Sequence, residues 1–320
     1  SLVTQATALG NVGRGVEARA ILQGTAAVAE DTGHLTTALR ALNNLGAILT
    51  ADDPISSMAM AERASDLLTR LGDLRWGVRN TWDIAYNAWD NGLYDKALAA
   101  LETYEPEEMS EWWQAAWKAG RIWVELLRTG DTDVHPQMVE ALAYYSDHSD
   151  PQLRAGIDGW ECNAHTAAGA WDDAYELAIK IEDPTGQAAW EAGRAAAWTR
   201  DASRVAAATA MAELIEPRGA RMVRGVRLYL DATRSALADQ MEVASQQFNE
   251  LIALWEPVAF LDDLTCVRAT FAMLVGHDDP AAAKAAQDAY DWLAETGTHS
   301  YMTVYAEGLP AVAHSRAAAR

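Results

Sequence analysis

The residue types that carry catalysis are all present in this chain, but not in the arrangements that catalysis needs. No Gly-x-x-x-x-Gly-Lys-Ser/Thr occurs to cradle a phosphate, no His-Glu-x-x-His to hold zinc, and no Gly-x-Ser-x-Gly elbow to expose a nucleophile. Gly13-Arg14-Gly15 is a lone glycine pair with no strand before it. The seven histidines are scattered. His165 falls at a helical contact position after Cys162, where a satisfied core imidazole is expected rather than a metal ligand. Asp262-Asp263 and Asp278-Asp279 are adjacent carboxylates of the kind that shares a proton. Each stands at a helix start, where the macrodipole favours acid, so capping is the expected role. No catalytic residue, metal or cofactor is expected.

Two sets of residues suit binding better. Trp outnumbers Phe by 13 to 3. Trp82, Tyr86 and Trp89 recur at i, i+4 and i+7, a stripe roughly 110° round the helix from Thr81, Ile84, Ala85 and Ala88 at about 100° per residue. The stripe of Thr81, Ile84, Ala85 and Ala88 is the apolar packing face. The aromatic stripe offers amphipathic rings with few rotors, suited to anchoring a ligand, with packing against Trp112, Trp113, Trp117 and Trp123 as the structural alternative. Arg218, Arg221, Arg224 and Arg227 recur every third residue. Guanidinium groups bind carboxylate or phosphate bidentately, so Arg221, Arg224 and Arg227 are a candidate anion site, against pairing with local acids such as Asp231.

The elements that position these residues are helices. No segment alternates apolar and polar residues over strand length, and Ala and Leu dominate Val and Ile. Asp53-Pro54, Asp150-Pro151 and Asp279-Pro280 mark helix starts; Pro106, Pro184, Pro217 and Pro257 mark stops; Gly92, Gly130 and Gly169 fall in turns. Small residues at Ala18, Ala59, Ala97, Ala141, Ala174, Ala206, Ala244 and Ala282 lie about 32 to 44 residues apart, the range of helical solenoids. The expected pairs are a stub at 2–9 with 14–30, then 34–50 with 54–70, 74–91 with 93–104, 109–129 with 135–146, and 152–168 with 171–181. Beyond these come 186–198 with 201–215, 219–238 with 241–255, and 261–275 with 280–296, closed by a helix near 300–314. The fold class is all-α, an α-solenoid of antiparallel helix pairs forming one domain over 1–320.

The segment Asn43 to Leu49 and the run Ile84, Ala85, Ala88, Gly92, Tyr94, Ala97 and Leu101 resemble a tetratricopeptide repeat. That resemblance implies a right-handed superhelix whose first helices line a concave groove, with Trp82, Tyr86 and Trp89 facing it. Arg40, Asn43 and Asn44 are types found in that family's carboxylate clamp, but Ala47 stands where the clamp requires Asn, so no such clamp is expected. The final run from Asp278 resembles the terminal repeat of large bacterial regulators that carry an ATPase or cyclase module.

The chain carries 46 acids against 25 Lys and Arg, a net charge of −21. Such a surface repels phosphates and anionic membranes, so neither nucleic acid nor membrane is an expected partner. Cys162 and Cys266 form no Cys-x-x-Cys and read as small core residues, which fits a cytoplasmic location. No apolar run of about 18 residues could span a membrane, and no signal peptide is visible. The chain starts at Ser1 and reads as a piece of a longer protein. The expected function is a non-catalytic protein- or peptide-binding scaffold within a larger bacterial signalling or transcription-regulating protein. The alternative is a sensor holding a small-molecule effector in its groove. A toroidal carbohydrate-acting enzyme is disfavoured by the short connections.

Overall fold

The computed structural model describes residues 1–11, 14–50, 53–72, 74–144, 151–181, 186–215, 221–258 and 261–310. It contains seventeen α-helices and no strand among these residues. In order they are α1 Leu2–Asn11, α2 Gly15–Asp31, α3 Leu35–Leu49, α4 Pro54–Leu71, α5 Leu74–Asp90, α6 Tyr94–Leu101, α7 Glu111–Thr129, α8 His135–Ala143 and α9 Pro151–Ala167. The series continues with α10 Trp171–Ala178, α11 Gln187–Trp198, α12 Ala202–Leu214, α13 Arg221–Leu237, α14 Met241–Trp255, α15 Leu261–Val275, α16 Pro280–Thr296 and α17 His299–Val304. Through most of the chain each helix packs on the next, the succession of an all-α solenoid.

The starts and stops follow the sequence punctuation. Asp53 accepts from Ser56 N in front of α4, and Asp279 from Ala281 N and Ala282 N in front of α16. Each cap is followed by Pro at the first helical position, where its missing N–H costs nothing. The Asp150 start and the Pro184 and Pro217 stops lie outside the described residues.

One three-residue turn joins α2 to α3, α5 to α6, α9 to α10, α11 to α12 and α13 to α14. Its middle residue has positive φ: Gly33, Gly92, Gly169, Arg200 and Asp239. Its last N–H reaches back five residues, as in His34 N to Ala29 O, Leu93 N to Ala88 O and Gln240 N to Ser235 O, the geometry of a Schellman stop. The fourth residue of the following helix is then buried: Ala38, Ala97, Ala174, Val205 and Ala244. This corrects the sequence-derived phase at three positions. Helix α3 is a second member of a hairpin, not a first, and Ala59 and Ala206 are exposed. In so Ala-rich a chain a small residue near the contact is easily mistaken for the contact itself.

The structure divides into two compact units, one built mainly from Ser1–Trp117 and the other mainly from Lys118 onward. The first is held by an aliphatic core including Leu22, Leu42, Leu45 and Leu67. In the second, contacts skip along the chain. Helix α15 meets α11, α17 meets α9, and the single turn Ala306–Gly308 lies on α15. At Gly308 a Cβ would come within 2.0 Å of Ala269 O, so only glycine fits there. Among the described residues no helix is long and apolar enough to cross a membrane.

Candidate functional site

Helix α5 presents the two faces read from its sequence. Thr81, Ala85 and Ala88 are buried and Ile84 is half-buried on the packing face. On the other face Tyr86 is 41% exposed, Trp82 half-buried and Trp89 only 3% exposed. These rings continue onto the start of α7. Trp82 meets Trp89 edge-on at 5.3 Å, Trp117 at 5.5 Å and Trp113 at 6.3 Å. Tyr86 lies 5.5 Å from Trp89, and Trp112 4.4 Å from Trp113. Edge and tilted contacts at these separations are the favoured aromatic geometries. Trp89 and Trp117 are core; Tyr86, Trp82, Trp112 and Trp113 keep surface. Burial is thus divided unevenly among the rings. Beside them burial pushes the Asp83 carboxyl up to about 6, against the opposing charge of Arg79.

Of the three arginines, Arg227 is engaged away from the expected anion site. Arg227 turns to the end of α12, donating to Ala212 O at 3.1 Å and Ile215 O at 2.7 Å. It occupies carbonyls that the helix end leaves unbonded. Arg224 is exposed, Arg221 is half-buried, and Arg218 lies outside the described residues. Asp231 pairs with Arg234 rather than with Arg227. Replacing Arg227 with Met is expected to cost about 2 kcal/mol through the lost charged cap, while Arg224→Met costs almost nothing. Chemical denaturation of the two variants checks this; equal stability would show that the cap contributes little.

The second unit holds a charged cluster that no sequence motif announces. On α11, Glu191 and Arg194 are both 0% exposed and paired with each other. Arg194 Nη2 also donates to Asn163 Oδ1 of α9 at 2.5 Å. Gln187 donates to Glu191 Oε1 at 2.7 Å, and Arg194 lies over the Trp190 ring. The Trp190 indole donates to Asp263 Oδ1 of α15 at 2.8 Å. Tyr229 of α13 and Trp198 both reach Thr270 Oγ1, each at 3.1 Å. Tyr301 stacks on Tyr305 at 5.0 Å, and Trp198 lies 5.0 Å from Tyr305. The expected capping role of Asp262-Asp263 therefore gives way, for Asp263, to a bond with Trp190.

The electrostatics are those of crowded acid. Burial pushes Glu191 up to about 7 despite the charge of Arg194. Asp262 also rises to about 7, through burial and then the neighbouring Asp263, and Asp263 is raised by burial. Burial works against the Arg194 charge, but Glu191 holds the guanidinium firmly protonated. Both cysteines are buried free thiols, with Cys266 pushed by burial to about 11, which makes it a poor nucleophile. A signal for this cluster does exist. The run Gln187 to Trp198 is apolar on every side except at Gln187, Glu191 and Arg194, and a helix apolar nearly all round is buried together with its charges.

His165 stands beside His135 at the start of α8, ring centroids 4.8 Å apart, with Glu161 3.9 Å from His165. Burial and the facing His165 lower the His135 pKa. No group of three His, Cys, Asp or Glu disposed to hold a metal occurs among the described residues.

Compared with models of known protein families, the chain matches none. No curated protein matches it either. Its function must be argued from the two sites themselves.

Proposed function

We propose that the chain is a non-catalytic scaffold that binds a protein or peptide through the aromatic face of α5 and α7. The observation that carries this reading is the partial exposure of Tyr86, Trp82, Trp112 and Trp113 over a floor of buried Trp89 and Trp117. Surface aromatics resting on a rigid aromatic floor lose little entropy on binding, which is why such residues recur as hot spots. The surplus of acids, 46 against 25 basic residues, fits a partner with Lys or Arg flanking its apolar anchor. The resemblance to tetratricopeptide arrays supports a role as the interaction segment of a larger bacterial signalling protein. The two free buried thiols fit a reducing compartment such as the cytoplasm.

A screen of short peptides carrying Trp, Phe or Leu between basic residues tests the reading. Tyr86→Ala is expected to weaken the best binder by about 2 kcal/mol, roughly thirtyfold, with an unchanged melting temperature. Trp89→Ala is expected to lower stability instead, by about 3 kcal/mol, because that ring is core. No peptide binding, or binding indifferent to Tyr86, would discard the proposal.

A second reading, a sensor for a small molecule, is favoured by a separate observation. Polar atoms in the buried cluster of the second unit lack hydrogen-bond partners among the described residues.

A further inference from the structure

One small device is completed by the chain's own residues in one place and left half-built in another. On α10, Asp172 and Tyr175 stand three residues apart and share a helix face. Arg204, the third residue of α12, fills that face. Its guanidinium lies 4.6 Å over the Tyr175 ring and pairs with Asp172. A guanidinium is flat and forked, so it can stack on a ring and bond a carboxylate at the same time. Arg194 repeats the combination with Trp190 and Glu191. On α5, Asp83 and Tyr86 have the same order and spacing as Asp172 and Tyr175. Here no arginine bonds the acid. The Asp83 carboxylate makes no ion pair or hydrogen bond among the described residues. Arg79, the cation whose charge it feels, lies over the Trp76 ring at 5.5 Å. Helix α7, next but one to α5 as α12 is to α10, has Trp113 as its third residue, 6.3 Å from Trp82.

We propose that this face receives an arginine side chain of the bound partner, its guanidinium stacked on Tyr86 and Trp82 and forked onto Asp83. The inference rests on the peptide-binding reading and makes the partner's anchor a cation rather than an apolar group.

Desolvation decides between an apolar and a cationic anchor. An apolar group laid over Tyr86 would strip more water from a carboxyl that burial already pushes up and that has no partner. A guanidinium offsets that loss with a charge-assisted bond. Tyr86 is 41% exposed, and Trp82, Trp112 and Trp113 are half-buried, so aromatic surface remains for stacking. No enclosed pocket is needed. Arg204 makes its own ring and acid contacts at the surface, where the Asp172 side chain is 77% exposed. The wider field favours the same sign. Residues 80–95 and 102–117, which carry the rings, hold eight acids and no Lys or Arg. Lysine fits less well, because its ammonium is a compact, strongly hydrated point charge that cannot stack and fork at once.

The test titrates the whole chain with the end-blocked tripeptide Leu-Arg-Leu and with counterparts carrying citrulline or Lys at the centre, reading Trp fluorescence and heat. Citrulline keeps the shape of arginine and loses the charge. The Arg peptide is expected to bind about tenfold tighter than the citrulline peptide, with the Lys peptide between them. Asp83→Asn should erase most of that difference, and Tyr86→Ala should weaken the Arg peptide by about tenfold, both with unchanged circular dichroism. Equal affinity for the Arg and citrulline peptides would overturn the inference; if Tyr86→Ala then weakened both, the scaffold reading would stand without it. A charge preference that survives Asp83→Asn would overturn it as well, since acids of the neighbouring turns would then be responsible. So would failure of all three peptides to bind at about 10 mM, a concentration above the Kd of ordinary recognition, while the longer peptides of the screen still decide the scaffold.

Discussion

Arg194→Met is expected to lower the melting temperature of the second unit by about 10 °C, the largest effect of any single substitution considered. Removing Arg194 strips the buried pair of its cation, so Glu191 must either stay charged and unpaired or take up a proton, and such a loss typically costs about 3–5 kcal/mol. Met fills much of the arginine volume, so the loss reports charge rather than a cavity. Glu191, Asp262 and Asp263 all lose the cation that offsets their burial. Adding Glu191→Leu to Arg194→Met should restore most of the stability, because an apolar pair can replace a buried ion pair at little net cost. Thermal melts of the single and double variants decide the matter. A single variant within about 1 kcal/mol of the parent, or a double variant no better than the single, would show that the pair is not what organises this core.

The second large effect is on pH dependence. Stability is expected to fall as pH rises from about 4 to 7, the reverse of the trend set by salt-bridged carboxylates. Glu191 rises from 4.5 to about 7, Asp262 from 3.8 to about 7 and Asp83 from 3.8 to about 6. Within those windows the folded chain holds protons that the unfolded chain has released, so raising the pH favours unfolding. The three contributions are fully present below about pH 4 and are lost as pH passes through the folded values. A tenfold difference in proton affinity between the folded and unfolded chain is worth about 1.4 kcal/mol, so the total is several kcal/mol even after allowance for solvent around Asp83. Self-repulsion of a chain at −21 acts in the same direction. The melting temperature should be higher at pH 5 than at pH 7.5, and Asp262→Asn with Glu191→Gln should flatten the difference. A profile that is level or climbs over that interval contradicts the assignment.

The helices are legible in the sequence because their ends are written locally. Asp53-Pro54 and Asp279-Pro280 carry both halves of a helix start, and Gly33, Gly92 and Gly169 sit where the backbone must turn left-handed. Where the same turn uses Arg200 or Asp239, the residue type gives no warning, and there the phase has to come from the backbone. The two faces of α5 are legible from periodicity, but periodicity does not say which neighbour covers a face. Trp89 is only 3% exposed, while Tyr86, one turn away on the same face, is 41% exposed. The spacing of Arg221, Arg224 and Arg227 describes one helix only. What engages Arg227 is the end of α12, which belongs to another helix. The cluster around Arg194 gathers residues from α9, α11, α15 and the turn after α17, and no local pattern ties Asn163 to Tyr305.

The seating of the last helical turns in the second unit bears on how that unit comes apart. An array whose repeats touch only their neighbours frays from its ends, and amide exchange is fastest there. Here Gly130 lies against the backbone of His299 and Ser300, α17 rests on α9, and Gly308 is pressed onto Ala269. The late residues act as a clasp over helices made much earlier in the chain. Their amides, together with those of α9 and α15, should exchange as one cooperative block, and a ribosome must deliver nearly the whole of this unit before the clasp itself can close.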